Sequence, residues 1–290
     1  MKTPTSPTPR EVIIGRMKKH KGLIISFAVL LGLVLVALAA PLLAPHDPFK
    51  QNLLLRLEPP VFLGGSWNNI FGTDHLGRDY LSRLIYGTQI SLLIGFVAAL
   101  ISAVIGTIMG VSAGYFGGKT DLVVTFLVNV RLSLPVVLVA LAVVALFGGS
   151  LFVVISVLGL LLWDRFAVVT RAATMQIRNM EYVAAAEILG TKIPRILWKD
   201  ILPNIANQLI VIITLEMAHA IMLEAALSFL GLGVQPPTPS WGLMISEGKP
   251  MLFFEPWLIT IPGVALFILV FAINMFGDGV RDVSAPEGRN

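Results

Sequence analysis

Charged residues fall in clusters along this chain and leave four long stretches without any, at 22–45, 84–118, 132–163 and 256–277. About 20 mostly apolar residues are enough to cross ~30 Å of hydrocarbon as a helix, so each stretch holds at least one membrane span. The third is interrupted by Gly148, Gly149 and Ser150, a turn signal that divides it between two helices. A further apolar segment at 206–232 carries two acids. The pattern predicts six spans, near 22–43, 88–112, 122–147, 150–169, 206–232 and 256–277, the fourth with Asp164 and Arg165 near its end. The first follows Lys18, Lys19 and Lys21 and contains Ala37-Leu38-Ala39, features shared with a cleavable signal peptide. Its apolar run exceeds the ~7–15 residues of a secretory core, so an uncleaved anchor is expected.

Composition agrees. Hydrophobic residues make up 56% of the 290 and charged residues 13%, against ~45–50% and ~25% in soluble domains. This excludes a soluble enzyme, a disordered regulator and a fibrous repeat, and leaves an all-α membrane protein. With no cysteine, there is no disulfide framework, thiol nucleophile or thiolate zinc site. Orientation follows from the basic residues. If the N-terminus is cytoplasmic, fifteen Lys and Arg lie inside, six of them in the 165–204 loop, against five outside: Lys50, Arg56, Arg78, Arg83 and Lys249. Arg131 belongs to neither side. Both termini are therefore expected in the cytoplasm, with the 45–87 and 234–255 loops outside.

Three segments imitate catalytic chemistry. Residues 113–120, ending Gly117-Gly118-Lys119-Thr120, fit a relaxed phosphate-loop pattern, but that loop needs a strand before it, and here two spans flank a glycine turn. Gly110-Val111-Ser112-Ala113-Gly114 fits a nucleophile motif, and His219 is the one intramembrane histidine. An intramembrane serine protease using Ser112 and His219 is the enzyme alternative this allows. The preferred reading is that Gly106, Gly110 and Gly114, spaced by four, let two helices approach closely. Asp74, His75 and Asp79 could suggest a metal site. Capping of the helix that enters the second span, by Asp74 or Asp79, is the simpler expectation. No catalytic and no metal site is expected.

Span five holds Glu216, His219 and Glu224. Charges at mid-membrane are costly and face protein or water. His219 lies one turn from Glu216 and can pair with it. The two acids either line a pathway or bind a neighbouring subunit, and Glu224 has the better claim to the pathway. Asn274 and Asp278 are read as caps at a cytoplasmic helix end.

The informative loop is 181–204. Its alanine-rich first half predicts a helix. Gly190 suits the left-handed residue that ends it. Thr191 can cap a second helix with Pro194 in its first turn, and Pro203 is expected to stop that helix. Tyr182, Ala186 and Leu189, with Ile193, Ile196, Leu197 and Ile201, give the hairpin an apolar face, which predicts a docking surface for a soluble partner. Ala185-Ala186, Gly190 and Ile201-Leu202-Pro203 resemble the EAA loop of binding-protein-dependent ABC importers. Gly72-Thr73-Asp74, Gly77-Arg78-Asp79, the 227–233 segment Leu-Ser-Phe-Leu-Gly-Leu-Gly, the 236–242 segment and the 274–282 segment resemble the dipeptide/oligopeptide/nickel permease group, second permease of the pair. The sequence departs from it at Ala184, where the family has Glu, and at Phe126 and Asn129, where relatives often carry Arg and Asp; Arg131 is an added charge.

The resemblance implies a type I ABC importer permease fold in a bacterial cytoplasmic (inner) membrane. It implies a cytoplasmic tail at 1–21, a first helix with external loop at 22–87, a permease core at 88–279 with the coupling loop at about 170–204, and a tail at 280–290. Ala185, Ala186, Gly190, Leu202 and Pro203 would shape the coupling to two ATPase subunits, which hold the ATP and Mg; this chain binds no cofactor and is no enzyme. The other implied partners are a homologous permease, an external solute-binding protein and lipid, with no nucleic acid. The cargo would be di- or oligopeptides or related small solutes. An ion-gradient-driven secondary transporter is the alternative outside this family; it would call for inverted repeats and broken helices, which the sequence lacks.

Overall fold

The computed structural model describes residues 15–284, so residues 1–14 of the tail predicted at 1–21 and residues 285–290 of that predicted at 280–290 lie outside it. Among these residues five helices are long and apolar enough to cross a membrane, and a bent pair makes a sixth. The helices are α1 (Lys21–Leu38), α2 (Tyr80–Phe116), α3 (Gly118–Leu132), α4 (Val136–Phe147), α5 (Leu151–Leu161) and α6 (Trp163–Arg178). They continue with α7 (Glu181–Ile188), α8 (Ile193–Ile196), α9 (Leu202–Phe229), α10 (Trp241–Gly248) and α11 (Trp257–Ser284).

α2 is the central post, packed along α6 and also against α5, α9, α1 and α3. One apolar core joins Ile94 and Ala98 of α2 to Val144, Leu158 and Leu223. A second gathers Tyr80, Ile221, Trp241, Trp257 and Leu269 around α10 and α11. Ser150 caps α5 by accepting from the Val153 N–H at 3.3 Å, and Gly148 takes the positive φ that the turn requires. The predicted pair of helices turning at 148–150 is present.

The structure corrects several boundaries. The third span is not continuous: α3 and α4 meet at a bend of 82°. Pro135 has no N–H to continue the ladder and disfavours helix in the residue before it. The fourth runs on to Arg178 through a break at Leu162. There Asp164 is buried and pairs with Arg131 at 3.3 Å, so the added arginine ties α3 to the break. Pro203 does not stop a helix. It lies in the first turn of α9, behind a π-helical turn at Leu197–Ile201. That wider turn makes room for the ring, and Asn204 Nδ2 takes up the Asp200 carbonyl at 2.6 Å. Helix from Ile193 to Phe229 is thereby one run of 37 residues. Asn274 and Asp278 cap nothing, because α11 continues to Ser284; Asn274 donates to the Val270 carbonyl one turn back.

Candidate functional site

The bundle has two elaborated ends. At one, α7 and α8 form the predicted hairpin. Helix α7 closes with the Thr191 N–H on the Ala186 carbonyl and the Gly190 N–H on the Glu187 carbonyl, both 3.0 Å. This two-bond ending requires a left-handed residue, and Gly190 has φ of 73°. Among the described residues nothing lies within 4 Å of where a Gly190 β-carbon would sit, so within this chain the glycine serves the backbone conformation. Thr191 is not the cap of α8; Lys192 occupies that position without a side-chain bond. Pro194 is in the first turn, as predicted.

The hairpin's apolar residues divide differently from the predicted stripe. Val183, Ile196, Ile201 and Ile205 are buried with Val111, Tyr115 and Ile177, fixing the hairpin to α2 and α6. Tyr115 donates to Glu187 Oε1 at 2.8 Å, and the Arg178 guanidinium lies 5.5 Å from the Tyr115 ring centroid. At the tip, Ile188 is 87%, Leu189 83% and Trp198 72% exposed. Ala185 is also exposed, Ala186 and Leu202 are half-buried, and Pro203 is at the surface. The α3 end is held to α6 by two bonds from the Arg171 guanidinium to Asp121.

At the other end, residues 44–79 fold over the start of α2 and clasp α10. Gly72 and Gly77 take positive φ, and Thr73 bridges to Asp79. Asp79 caps α2, accepting from the Ser82 N–H at 2.7 Å, as expected for one of the two acids. Asp74 does something else. It accepts from the Leu76 N–H at 2.8 Å and the Arg78 N–H at 3.0 Å, and its other oxygen meets Arg78 Nε at 2.6 Å and Arg83 Nη1. Across the interface Glu247 of α10 faces Arg78 at 3.1 Å and Arg83 at 2.8 Å. Two acids thus balance two arginines, with Arg83 wholly buried. Asp74, His75 and Glu247 offer ligand atoms within 4.8 Å of one another, but the arginines already neutralise both carboxylates and disfavour a cation. Glu247 and Arg83 were missed as site residues because 164 positions separate them, and no local spacing encodes the pair.

Burial alone would raise the Asp74 carboxyl, but Arg83, Arg78 and the two N–H donors outweigh it and hold it below the usual range. A depressed folded value contributes stability that is present above the unfolded carboxyl value and lost only as pH falls through the folded one. The Asp74 contribution is therefore expected to be undiminished between pH 7 and 5 and to fade below about 4. Thermal unfolding of detergent-solubilised wild type and Asp74→Asn across that range checks this: their difference in midpoint should stay constant to pH 5 and shrink only in stronger acid.

Inside the spans Glu216 is 1% exposed and pairs with Arg165 at 2.9 Å and with His219 Nδ1 at 3.2 Å. The predicted His219 pairing is present, and Arg165 of α6 supplies the charge. Glu224 is equally buried: its Oε1 accepts from Ser228 at 2.7 Å and from Ser240 at 2.9 Å. Ser240 in turn accepts from the Leu243 N–H at 3.1 Å, so Glu224 is anchored to the first turn of α10. Gly106, Gly110 and Gly114 lie against Trp163, Ala167 and Arg171 of α6, the close packing their spacing predicted. Ser112 is on this stretch of α2, whereas the His219 nitrogen is directed to Glu216; among the described residues no hydrogen bond joins the pair. Residues 113–120 join two helices, not a strand and a helix.

These features define a polytopic helical membrane protein with a projecting hairpin at one end and a charge-clasped cap at the other. A family model described as binding-protein-dependent transport system inner membrane component matches residues 106–289. A second, the N-terminal TM domain of oligopeptide transport permease C, matches residues 8–60. The dipeptide transport system permease protein DppC of Haemophilus influenzae is 38% identical over 281 residues, 97% of this chain and 95% of the relative. That of Bacillus subtilis is 39% identical over 275 residues, 94% of this chain and 84% of its own. The B. subtilis oligopeptide transport system permease protein OppC is 35% identical, covering 94% and 88%. Among solved structures, an inward-facing MetNI methionine ABC transporter chain superposes with a TM-score of 0.58 at 20% identity, covering 70% of this chain and 97% of that one. The chain belongs to the family of inner-membrane permease components of binding-protein-dependent transport systems. It is a multi-pass permease with the ABC importer fold.

Proposed function

We propose that this permease forms half of a peptide pathway and takes its energy from ATPase subunits seated on the α7–α8 hairpin. The observation that carries the reading is the hairpin itself: an apolar tip of Ile188, Leu189 and Trp198 in the open, on a base whose side chains are buried. A surface of that kind in water calls for a partner. The excess of basic residues supports a cytoplasmic position for it, where ATP and Mg are available to such a partner. The clasped cap around α10 then faces outward, where a solute-binding protein would deliver cargo. A homologous permease completes the pathway. Di- or oligopeptides are the cargo we favour, since the relatives named above are dipeptide and oligopeptide permeases. Glu224, beneath the outer cap, is the acid we place nearest the pathway, while Glu216 is neutralised within the chain.

Gly190→Val tests the coupling. A β-branched residue at φ of 73° costs about 1–2 kcal/mol and disrupts the turn. Dipeptide uptake and transport-stimulated ATP hydrolysis should fall together while the protein still inserts. Gly190→Asn, which tolerates the left-handed region, should retain most uptake. Wild-type uptake by the valine variant would overturn the reading.

A further inference from the structure

Where α1 begins and α11 ends, the two helices touch at Leu23 and Gly279, and a groove of about 380 Å³ runs along their seam. Its walls are Leu23, Ile24 and Phe27 on one side and Phe276, Val280 and Val283 on the other. Ile24 and Phe27 are about half exposed, and Phe27 lies 6.2 Å from Phe276, centroid to centroid. The polar lining is confined to Lys18 and Ser284 at the mouth. Lys19 and Lys21 are exposed on the same short segment, and among the described residues none of these three lysines has an acidic partner. The acids on the facing turns are Asp278, which is exposed, and Asp282, which is 3.5 Å from His20 and 4.0 Å from Arg281.

A slot that is hydrocarbon along its length and cationic at its mouth matches an amphiphile with an anionic head. Basic sites at the ends of spans collect anionic headgroups, each Lys or Arg adding about fivefold to the attraction. We infer that this groove is a binding site for an anionic phospholipid, with an acyl chain along the seam of α1 and α11 and the headgroup at Lys18. The ligand would fix the first span to the last, independently of what the permease carries.

The test is native mass spectrometry of the full-length protein in its assembled complex, released from micelles holding equal phosphatidylglycerol and phosphatidylcholine. Phosphatidylglycerol should be retained at least about fivefold over phosphatidylcholine. Lys18→Gln should remove most of that preference, and Val280→Trp, which fills the groove, should abolish retention of both lipids. Equal retention of the two lipids by the wild type would overturn the inference. So would retention unaffected by either substitution, or retention seen only after residues 1–14 are deleted, since the groove would then hold the chain's own tail. If the tryptophan variant does not insert, Lys18→Gln decides alone.

Discussion

Replacing Asp74 with asparagine should unclasp the end of the molecule opposite the hairpin. The amide keeps the shape and still accepts the N–H bonds from Leu76 and Arg78, but it leaves Arg78 and Arg83 with Glu247 as their one shared counter-charge. Arg83 is 0% exposed and cannot recover the loss from water. Removing one partner of a buried ion pair costs about 3–5 kcal/mol, because the charge left behind is desolvated and uncompensated. Chemical denaturation in detergent should show a loss of that size, and limited proteolysis should cut the 44–79 loop faster. Adding Arg83→Met to Asp74→Asn should restore part of the stability, since the unpaired charge has gone with its partner. An Asp74→Asn protein as stable as the wild type would mean that the cluster does not hold α10 to the loop.

The second large effect is expected at Gly110. A β-carbon there would lie 2.1 Å from Thr170 Oγ1 and 2.4 Å from the Ala167 carbonyl oxygen. The hydroxyl can rotate away, but the carbonyl is part of α6 and can yield only if the whole helix moves. A β-carbon on Gly106 would lie 2.3 Å from the Trp163 carbonyl oxygen and one on Gly114 2.7 Å from that of Arg171, so the seam is also tight one turn to either side. Gly110→Val should cost about 3 kcal/mol or more, at or beyond the upper range for overpacking, and should lower the yield of monodisperse protein. Gly263→Ala is the control. It is also in a long helix, α11, but a β-carbon added there would meet nothing within 4 Å among the described residues, and the exchange should be neutral or stabilising by up to about 1 kcal/mol. Equal behaviour of the two variants would show that α2 and α6 are not locked at this seam.

What the sequence reveals here is mostly local. The spans, the Gly148–Ser150 turn, the Asp79 cap, the Gly190 helix ending, the His219–Glu216 pair and the glycine seam each depend on spacings of at most four residues or on runs of one polarity. The bend at Pro135 and the π-helical turn before Pro203 were harder. Proline announces a disturbance at both, but whether the chain bends or continues depends on what packs around it. Least legible were the long-range polar partners. Glu247 with Arg78 and Arg83, Asp164 with Arg131, and Arg171 with Asp121 are chosen by topology, and each residue alone reads as an ordinary loop or helix-end charge. The candidate site is thus half visible: the hairpin is plain and the clasp around α10 is not. Val183, buried at the base of the hairpin, escaped notice because it falls between the members of the apolar stripe that spacing had selected.

The joining of the α8 helix to span five without a break has a mechanical consequence. At ~1.5 Å per residue, the 37 residues from Ile193 to Phe229 make a rod about 55 Å long. One end carries the exposed tip beside Trp198, and the other ends a turn beyond Glu224, whose carboxylate holds Ser240 and the first turn of α10. A tilt of about 5° about one end displaces the other by roughly 5 Å over that length, more than a hydrogen bond of 2.9 Å can stretch and survive. Force applied to the hairpin therefore has a stiff lever to the opposite end, past the Glu216–Arg165 pair to the contact between Glu224 and Ser240.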